Sequence, residues 1–325
     1  MASKQADYIW MNGEIVPWAE AKIHVASDAV LRGENVFEGI RAYWNETEEE
    51  SYIFKNPEHL RRLRQSAKVI RMHIPYSDEE LTQGFIELLR KNSFTSAVHL
   101  RPVVYLGGDW GSYEPDAEAG VFVLAVASPH SPSIFTGIKS CISTWRRNSD
   151  LASPSRIKAG AYYHNARLAM MEARLNGFGT PIMMNDRGKI AESPGSCFFM
   201  VRDGVPVTAP VTADILESVT RATLIQLFGD ELGIPVQQRE IDRTEVYLAD
   251  EAFFCGSNQE VQPIISVDHY PMGDGKIGPL TGQIQSLYFD IAKGKVPKYH
   301  HWLTAVYRRG SPVASPEPQV VRSLS

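Results

Sequence analysis

The chain has 325 residues, of which 43% are hydrophobic and 22% charged, and carries a formal net charge of -5. That length can bury a sizeable core and suits two domains or one large one, while the mild acidity excludes the basic footprint expected of a nucleic-acid binder. Cys141, Cys197 and Cys255 stand far apart, so they offer neither a disulfide framework nor a paired-cysteine metal motif and fit a reducing compartment.

The first residues pass directly into strand-like sequence without a basic, apolar, small-residue leader, and no later apolar run approaches membrane-spanning length. The expectation is a cytoplasmic protein without a membrane partner. "YIWMNGEIVPW" predicts a hairpin turning at Asn12-Gly13, because both residues tolerate positive φ. A turn-rich segment from Ser27 to Gly33 precedes "NVFEGIRAYW", read as one strand, and the acidic "NETEEE" leads to a further strand, "SYIFK". Leu60, Leu63, Ala67 and Ile70 recur at helical spacing, and Ser77 with Glu80 makes a capping box before a second helix, "DEELTQGFIELLRKN". Two strands, "AVHLRPVVYLGG" and "GVFVLAVAS", close this unit.

The expected division is a small α+β domain over 1–127, a linker over 128–137 rich in Pro and Ser, a large domain over 138–309, and a disordered tail over 310–325. The second half opens with one strand, "IKSCISTWRR". The lysine-bearing loop "RIKAGAYY" follows, then a helix with Leu168, Met171 and Leu175 on one face and Gly177 as its stop. Two hairpins turn at Asn185-Asp186-Arg187-Gly188 and Asp203-Gly204, a helix starts after Ser218, and "PVQQREI", "EAFFCGS" and "QPIISVD" precede a last helix around "GQIQSLYFDIAKG".

Several motifs carry little. "GDGKIG" matches a dinucleotide-binding glycine pattern, but Pro279 follows it and no βαβ unit surrounds it, so it reads as a turn. The nine histidines show no metal-ligand spacing, so no metal site is expected. Ser155 and Lys158 form SxxK, the nucleophile and base spacing of one class of serine hydrolase, although the companion motifs of that class are missing. Lys158 on its own has the ordinary reading of a solvated surface lysine. Three further features point to an anionic aldehyde cofactor instead: the helix start at Ser218-Val219-Thr220 with its free amides, the turn Gly256-Ser257, and the arginine-dense helix carrying Arg61, Arg62 and Arg64.

Taken in order, "VFEGIR", "HLRRLRQSAK", "IKAGAYY", "IAESPG", "VTRATL" and "YLADEAFFCGS" resemble the fold-type IV pyridoxal-phosphate enzymes, specifically bacterial branched-chain amino-acid aminotransferases. The resemblance runs from the N-terminal hairpin to the start of the tail. It implies the two-domain α+β architecture of that fold type, pyridoxal 5′-phosphate as cofactor, and ping-pong transfer of an amino group from an amino acid to a 2-oxo acid such as 2-oxoglutarate. By position it makes Lys158 the Schiff-base lysine, with Ala159, Gly160 and Ala161 letting the backbone approach the cofactor. Tyr163 falls at the cofactor's phenolic oxygen and Glu192 at its pyridine nitrogen. Arg62, the Val219 and Thr220 amides and Ser257 fall at its phosphate, and Leu216 against its ring. It further implies a homodimer, with a higher homo-oligomer left open, in which the partner's loop from Gly107 to Tyr113 closes the pocket.

The substrate side departs from the family pattern. Phe37, Gly39 and Arg101 match, but Arg32 and His99 stand where tyrosines are usual, Ser257-Asn258 replaces a Thr-Ala pair, and Cys197 replaces an asparagine. Strand alternation places His99 with Arg101 on one face and Phe37, Gly39 and Arg41 on another, so these changes can reach one cavity. Arg32 either meets water, pairs with a carboxylate such as Glu34 or Glu38, or binds a substrate carboxylate. Two substrate readings stay open: aliphatic amino acids, or a pocket rebuilt for (R)-amines or D-amino acids with pyruvate as acceptor.

Overall fold

The computed structural model describes residues 6–108, 113 and 117–308. The expected tail and residues 109–112 of the expected closing loop lie outside them. Two large sheets organise the described residues.

The first sheet is antiparallel and opens with the expected hairpin, Tyr8–Met11 against Glu14–Pro17, with Asn12 and Gly13 at φ 50° and 93°. Its central strand Val98–Tyr105 lies between Gly120–Ala127 and Ile40–Asn45, and Glu50–Phe54 follows. The expected single strand "NVFEGIRAYW" is two, Asn35–Phe37 and Ile40–Asn45. They are interrupted at Glu38 and Gly39, where the amide of Phe37 turns to Lys158 O and that of Glu38 to Pro102 O. The helices Asn56–Val69 and Asp78–Asn92 cover one face of the sheet, burying Leu60, Leu63, Leu81 and Phe85 against Val36, Ile40 and Ile53. The second helix starts with the expected capping box: Glu80 N donates to Ser77 Oγ at 3.1 Å and Ser77 N to Glu80 Oε2 at 2.7 Å.

The second sheet has Glu260–Val267, Glu251–Gly256, Cys197–Arg202 and Val205–Thr208 as antiparallel neighbours. Side-chain alternation splits its aromatic residues between two cores. Phe199 and Phe253 stack at 5.0 Å in one, and Phe198 and Phe254 meet at 6.1 Å in the other. The expected strand "IKSCISTWRR" also breaks at Cys141: Ile138–Ser140 joins the large sheet and Ile142–Arg146 pairs in parallel with Ile182–Met184.

Three further expectations change. The helix Tyr163–Leu175 buries Ala166, Ala169 and Ala173, while Met171 and Leu175 are exposed. Its close-packed face is the one that small residues permit. The segment 128–137 is tied down by side chains: His130 Nδ1 lies 2.8 Å from Glu260 Oε2, and Gln285 Nε2 donates to Ile134 O at 2.9 Å. Finally, Leu303–Ala305 returns to pair with Glu50–Phe54 of the first sheet, and Tyr43 and Phe54 pack into the core of the second around Tyr288 and Trp302. This strand thereby crosses the expected boundary.

The long helix Pro279–Ala292 is held at its start by Glu251, a buried carboxylate that accepts from Leu280 N at 3.0 Å and from Thr281 N and Oγ1, both at 2.7 Å. These are amides that a helix start leaves without partners. Glu251→Ala should cost about 2 kcal/mol or more, from the lost cap and the orphaned donors. The expected readout is a lower urea midpoint for unfolding, and an unchanged midpoint would show that the cap contributes nothing.

Candidate active site

Lys158 is clamped through its backbone. Its N–H donates to Ser66 Oγ at 3.1 Å, its C=O accepts from Phe37 N at 3.0 Å, and the next residue, Ala159, bridges to Val36. The loop is thus fastened to the first sheet and its covering helix. The small residues around the lysine serve this fastening more than a cofactor: a Cβ on Gly160 would lie 2.4 Å from Asn35 Oδ1, and Ala161 packs on Gly33. Of the three, only Ala159 faces the cavity into which Lys158 points.

That cavity lies between the sheets, and Lys158 Nζ donates to Tyr163 Oη at 3.4 Å within it. The Phe37 ring centroid lies 5.0 Å from Nζ. Ser155 also lines the cavity, so the SxxK pair is brought together, with the lysine hydrogen-bonded to the tyrosine. Glu192 is buried in the opposite wall. Its Oε1 takes Arg147 Nη2 at 2.8 Å and Leu216 N at 3.2 Å, while among the described residues Oε2 takes only the Cys197 thiol, at 3.5 Å. Burial raises the Glu192 carboxyl above its ordinary range, against the pull of Arg147, the Leu216 amide and the thiol. Burial also pushes the Cys197 thiol up, which keeps it a weak neutral donor.

The anion-ready end is built by two helix features. Val219–Asp230 is capped by Ser218, whose Oγ accepts from Arg221 N at 3.2 Å, leaving the first amides of the helix for another acceptor. Val219 lines the cavity; Thr220 is buried behind it and does not. Across from this helix start, Arg62 is gripped by the buried Glu38. Nε donates to Oε1 at 2.6 Å and Nη2 to Oε2 at 2.7 Å, while Nη1 donates to Glu217 O at 2.8 Å. Five guanidinium N–H groups minus these three leave two, one on each Nη, for an anion. His59 Nδ1 lies 2.7 Å from Glu38 Oε2. His59, Arg62 and Ser66 therefore form one helical stripe, at i, i+3 and i+7, that holds the ion pair and the lysine loop together.

On the substrate side, Gly39, His99, Arg101 and Asn258 all line the cavity together with Phe37 and Ser257. Arg101 stacks 4.9 Å from the Phe37 ring centroid and has no carboxylate partner among the described residues. Arg41, on the strand beside His99, reaches Asn258 O with Nη1 at 3.4 Å and so braces the Ser257-Asn258 turn. Arg32 does not reach the cavity. It pairs with Asp28, four residues earlier in the short helix Asp28–Leu31, and its guanidinium carbon lies 5.8 Å from the Tyr113 ring centroid. Asp28 wins over Glu34 and Glu38 because helical spacing delivers it, while Glu38 is already taken by Arg62.

A cavity presenting an amine, a buried carboxylate and an anion-binding helix start suits a flat anionic aldehyde. The family model for class IV amino-transferases matches residues 35–267. The chain belongs to the class IV aminotransferases. It is 38% identical over 312 residues to a probable branched-chain-amino-acid aminotransferase of Aquifex aeolicus, covering 94% of this chain and 99% of that one. It is 37% identical to the branched-chain-amino-acid aminotransferase of Escherichia coli K12, with 94% and 99% covered. Among solved structures, the branched-chain amino acid aminotransferase of Thermobaculum terrenum in its PLP form superposes with a TM-score of 0.88 at 39% identity, covering 94% of this chain and 100% of that one. The branched-chain aminotransferase of the archaeon Thermoproteus uzoniensis with norvaline gives 0.87 at 39%, covering 93% and 100%. Membership of the family makes the chain an aminotransferase of the fold-type IV architecture that the resemblance implied.

The sequence reading missed four residues of this site: Glu38 as the partner of Arg62, His59, Ser66 and Arg147. Glu38 was visible only as a carboxylate near Arg32, and nothing in the spacing of Arg147 ties it to Glu192, 45 positions later. Burial works to raise the Glu38 carboxyl, but the Arg62 guanidinium and the His59 hydrogen bond outweigh it and hold the group at about 2, below its ordinary 4.5. Its stabilising contribution is therefore complete above about 4.5 and is lost as pH falls from there through about 2. Glu38→Gln should cost about 3 to 5 kcal/mol at neutral pH by leaving Arg62 buried without its partner. Urea midpoints measured from pH 6 to 3 should fall less steeply in this variant than in the wild type, and parallel slopes would exclude this role for Glu38.

Proposed function

We propose that the chain moves the amino group of a branched-chain-type amino acid to a 2-oxo acid such as 2-oxoglutarate, with pyridoxal 5′-phosphate held in the Lys158 cavity. The carrying observation is the placement of the Lys158 amine and the buried Glu192 carboxylate in one cavity, in a chain that matches branched-chain aminotransferases over almost its whole length. These relatives do not favour the (R)-amine or D-amino-acid reading, nor a hydrolase at Ser155.

The donor set fits the cofactor. Arg62 offers its two free N–H groups, the helix start at Val219 and Thr220 its amides, and Ser257 its hydroxyl to the phosphate. Glu192 Oε2, whose only partner among the described residues is a thiol, would accept from the ring nitrogen. Tyr163 donates to the ring oxygen and Leu216 packs on the ring. Pyridoxal phosphate, when bound, supplies an aldehyde that takes up the amino group and a ring that draws electrons from the substrate carbon. Lys158 Nζ is the amine of the cavity, free to lift the proton from that carbon and return it nearby. Arg147 holds Glu192 in orientation and works against the burial that disfavours its ionised form. Arg101, a cation without a carboxylate partner among the described residues, receives an acidic group of the substrate, and Arg41 braces the Ser257-Asn258 turn against it.

The assembly is a homodimer in the cytoplasm, each chain divided into a small α+β domain over 1–127 and a large domain over 138–309 joined by 128–137. Supporting the dimer, Leu151 and Trp145, on either side of Arg147, are exposed, as is Tyr163 at the cavity itself. The three buried thiols suit a reducing compartment.

Purified protein reconstituted with the cofactor should absorb as an internal imine that borohydride fixes, and Lys158→Ala should lose both that fixation and turnover, by about 1000-fold or more. A Lys158→Ala protein retaining near-normal turnover would refute the assignment. Sedimentation should show a dimer as the active species, and robust turnover by a demonstrated monomer would overturn the assembly.

A further inference from the structure

The hairpin that carries Ser257 and Asn258 has at its root a residue that its backbone disfavours. Gly256 and Glu260 close it in register, leaving residues 257–259 as the loop. After a three-residue loop of this kind the closing residue takes the left-handed conformation, and glycine adopts it without strain. Here the residue is Glu260, at φ 56° and almost wholly buried. A strained residue held where glycine would be relaxed draws attention to what its side chain does.

The Glu260 carboxylate has Arg41 Nε 3.5 Å from Oε1, and its Oε2 accepts from His130 Nδ1 at 2.8 Å. Arg41, itself buried, lies with its guanidinium carbon 5.5 Å from the Tyr43 ring centroid, donates through Nη2 to Ser128 O, and reaches Asn258 O with Nη1 at 3.4 Å. Glu260, Arg41 and His130 all stand outside the cavity lining, behind the hairpin tip. On the other flank Gln259 Nε2 donates to Thr180 Oγ1 at 2.9 Å. The tip is therefore gripped at 258 and 259, whereas the side chains of Ser257 and Asn258 line the cavity and make no hydrogen bond among the described residues. We propose that Glu260 is the positioning residue of this tip: it sets Arg41 against Asn258 O, His130 orients its carboxylate, and Ser257 and Asn258 are thereby held ready for cofactor and substrate. The proposal rests on the transaminase reading of the cavity.

The test measures the Kd of pyridoxal phosphate by fluorescence, together with KM and kcat for L-leucine in the cofactor-saturated enzyme. Glu260→Gly removes the carboxylate and the backbone strain at once, so a merely structural residue would tolerate it. It should instead raise both the cofactor Kd and the leucine KM by about tenfold, more than it lowers kcat. His130→Phe, which keeps a ring against Phe289 and loses the hydrogen bond, should raise both by about threefold, and His130→Gln, which keeps an N–H donor, should recover most of that loss. General damage lowers the active fraction and with it kcat but leaves KM, so KM separates positioning from misfolding. Wild-type values of Kd and KM in Glu260→Gly overturn the proposal, and if that variant does not fold, wild-type values in His130→Phe do so. A wild type that takes up no pyridoxal phosphate overturns the transaminase reading and this proposal with it.

Discussion

A carboxylate with no access to water organises this molecule. Glu38 sits at the break between two strands of the first sheet, its amide on Pro102 and its side chain on Arg62 and His59. Neither charge would be tolerated alone at that depth, but the bidentate pair satisfies most of both groups. Because Arg62 also reaches Glu217 O just before the helix Val219–Asp230, the pair couples the first sheet and its covering helix to the anion-binding end of the cavity. Ser66, one turn further along the same helix, fixes the Lys158 loop. One helix face thus positions a cation and the cavity's amine relative to each other.

The surrounding packing makes that arrangement rigid. Strand alternation sends Ile40, Ala42 and Ile53 into the core beneath the two helices, and Tyr43 and Phe54 the other way, into the core of the second sheet. Tyr43 Oη meets Tyr288 Oη at 3.4 Å, and Asn45 Nδ2 donates to Lys293 O at 2.8 Å. The two sheets therefore share buried surface, and a movement of one against the other would open an aromatic core.

Charge pairing then sorts the basic residues of the region into structural and available groups. Arg62, Arg147 and Arg32 each have a carboxylate partner, Glu38, Glu192 and Asp28, whereas Arg101 has none among the described residues. His99, half-buried and held neutral beside Arg101, Arg41 and Lys158, adds polarity without charge. The cavity consequently presents a cationic site at Arg101 and an uncharged polar site at His99 next to an aromatic wall at Phe37.

Much of this could be read along the chain. The hairpin at Asn12-Gly13, the capping box at Ser77 and Glu80 and the helix start at Ser218 depend on local spacing, and each forms at the residues that encode it. Lys158, Tyr163 and Glu192 belong to contiguous motifs, and the fold gathers them around one cavity. The sequence by itself thus determined the family, the turns, the caps and which lysine enters the cavity, because each is encoded within a few neighbouring residues. Tertiary structure alone decided which charge pairs with which. Glu38 with Arg62, Glu192 with Arg147, and Ser66 with the Lys158 amide are separated by 24, 45 and 92 positions, and the outcome depends on burial and competition for partners. Arg32 with Asp28 is the local exception, an i,i+4 pair within reach of sequence, whereas the helix Tyr163–Leu175 buries its alanine face and exposes Met171 and Leu175 because packing selects the face that fits closest, and no periodicity records that choice.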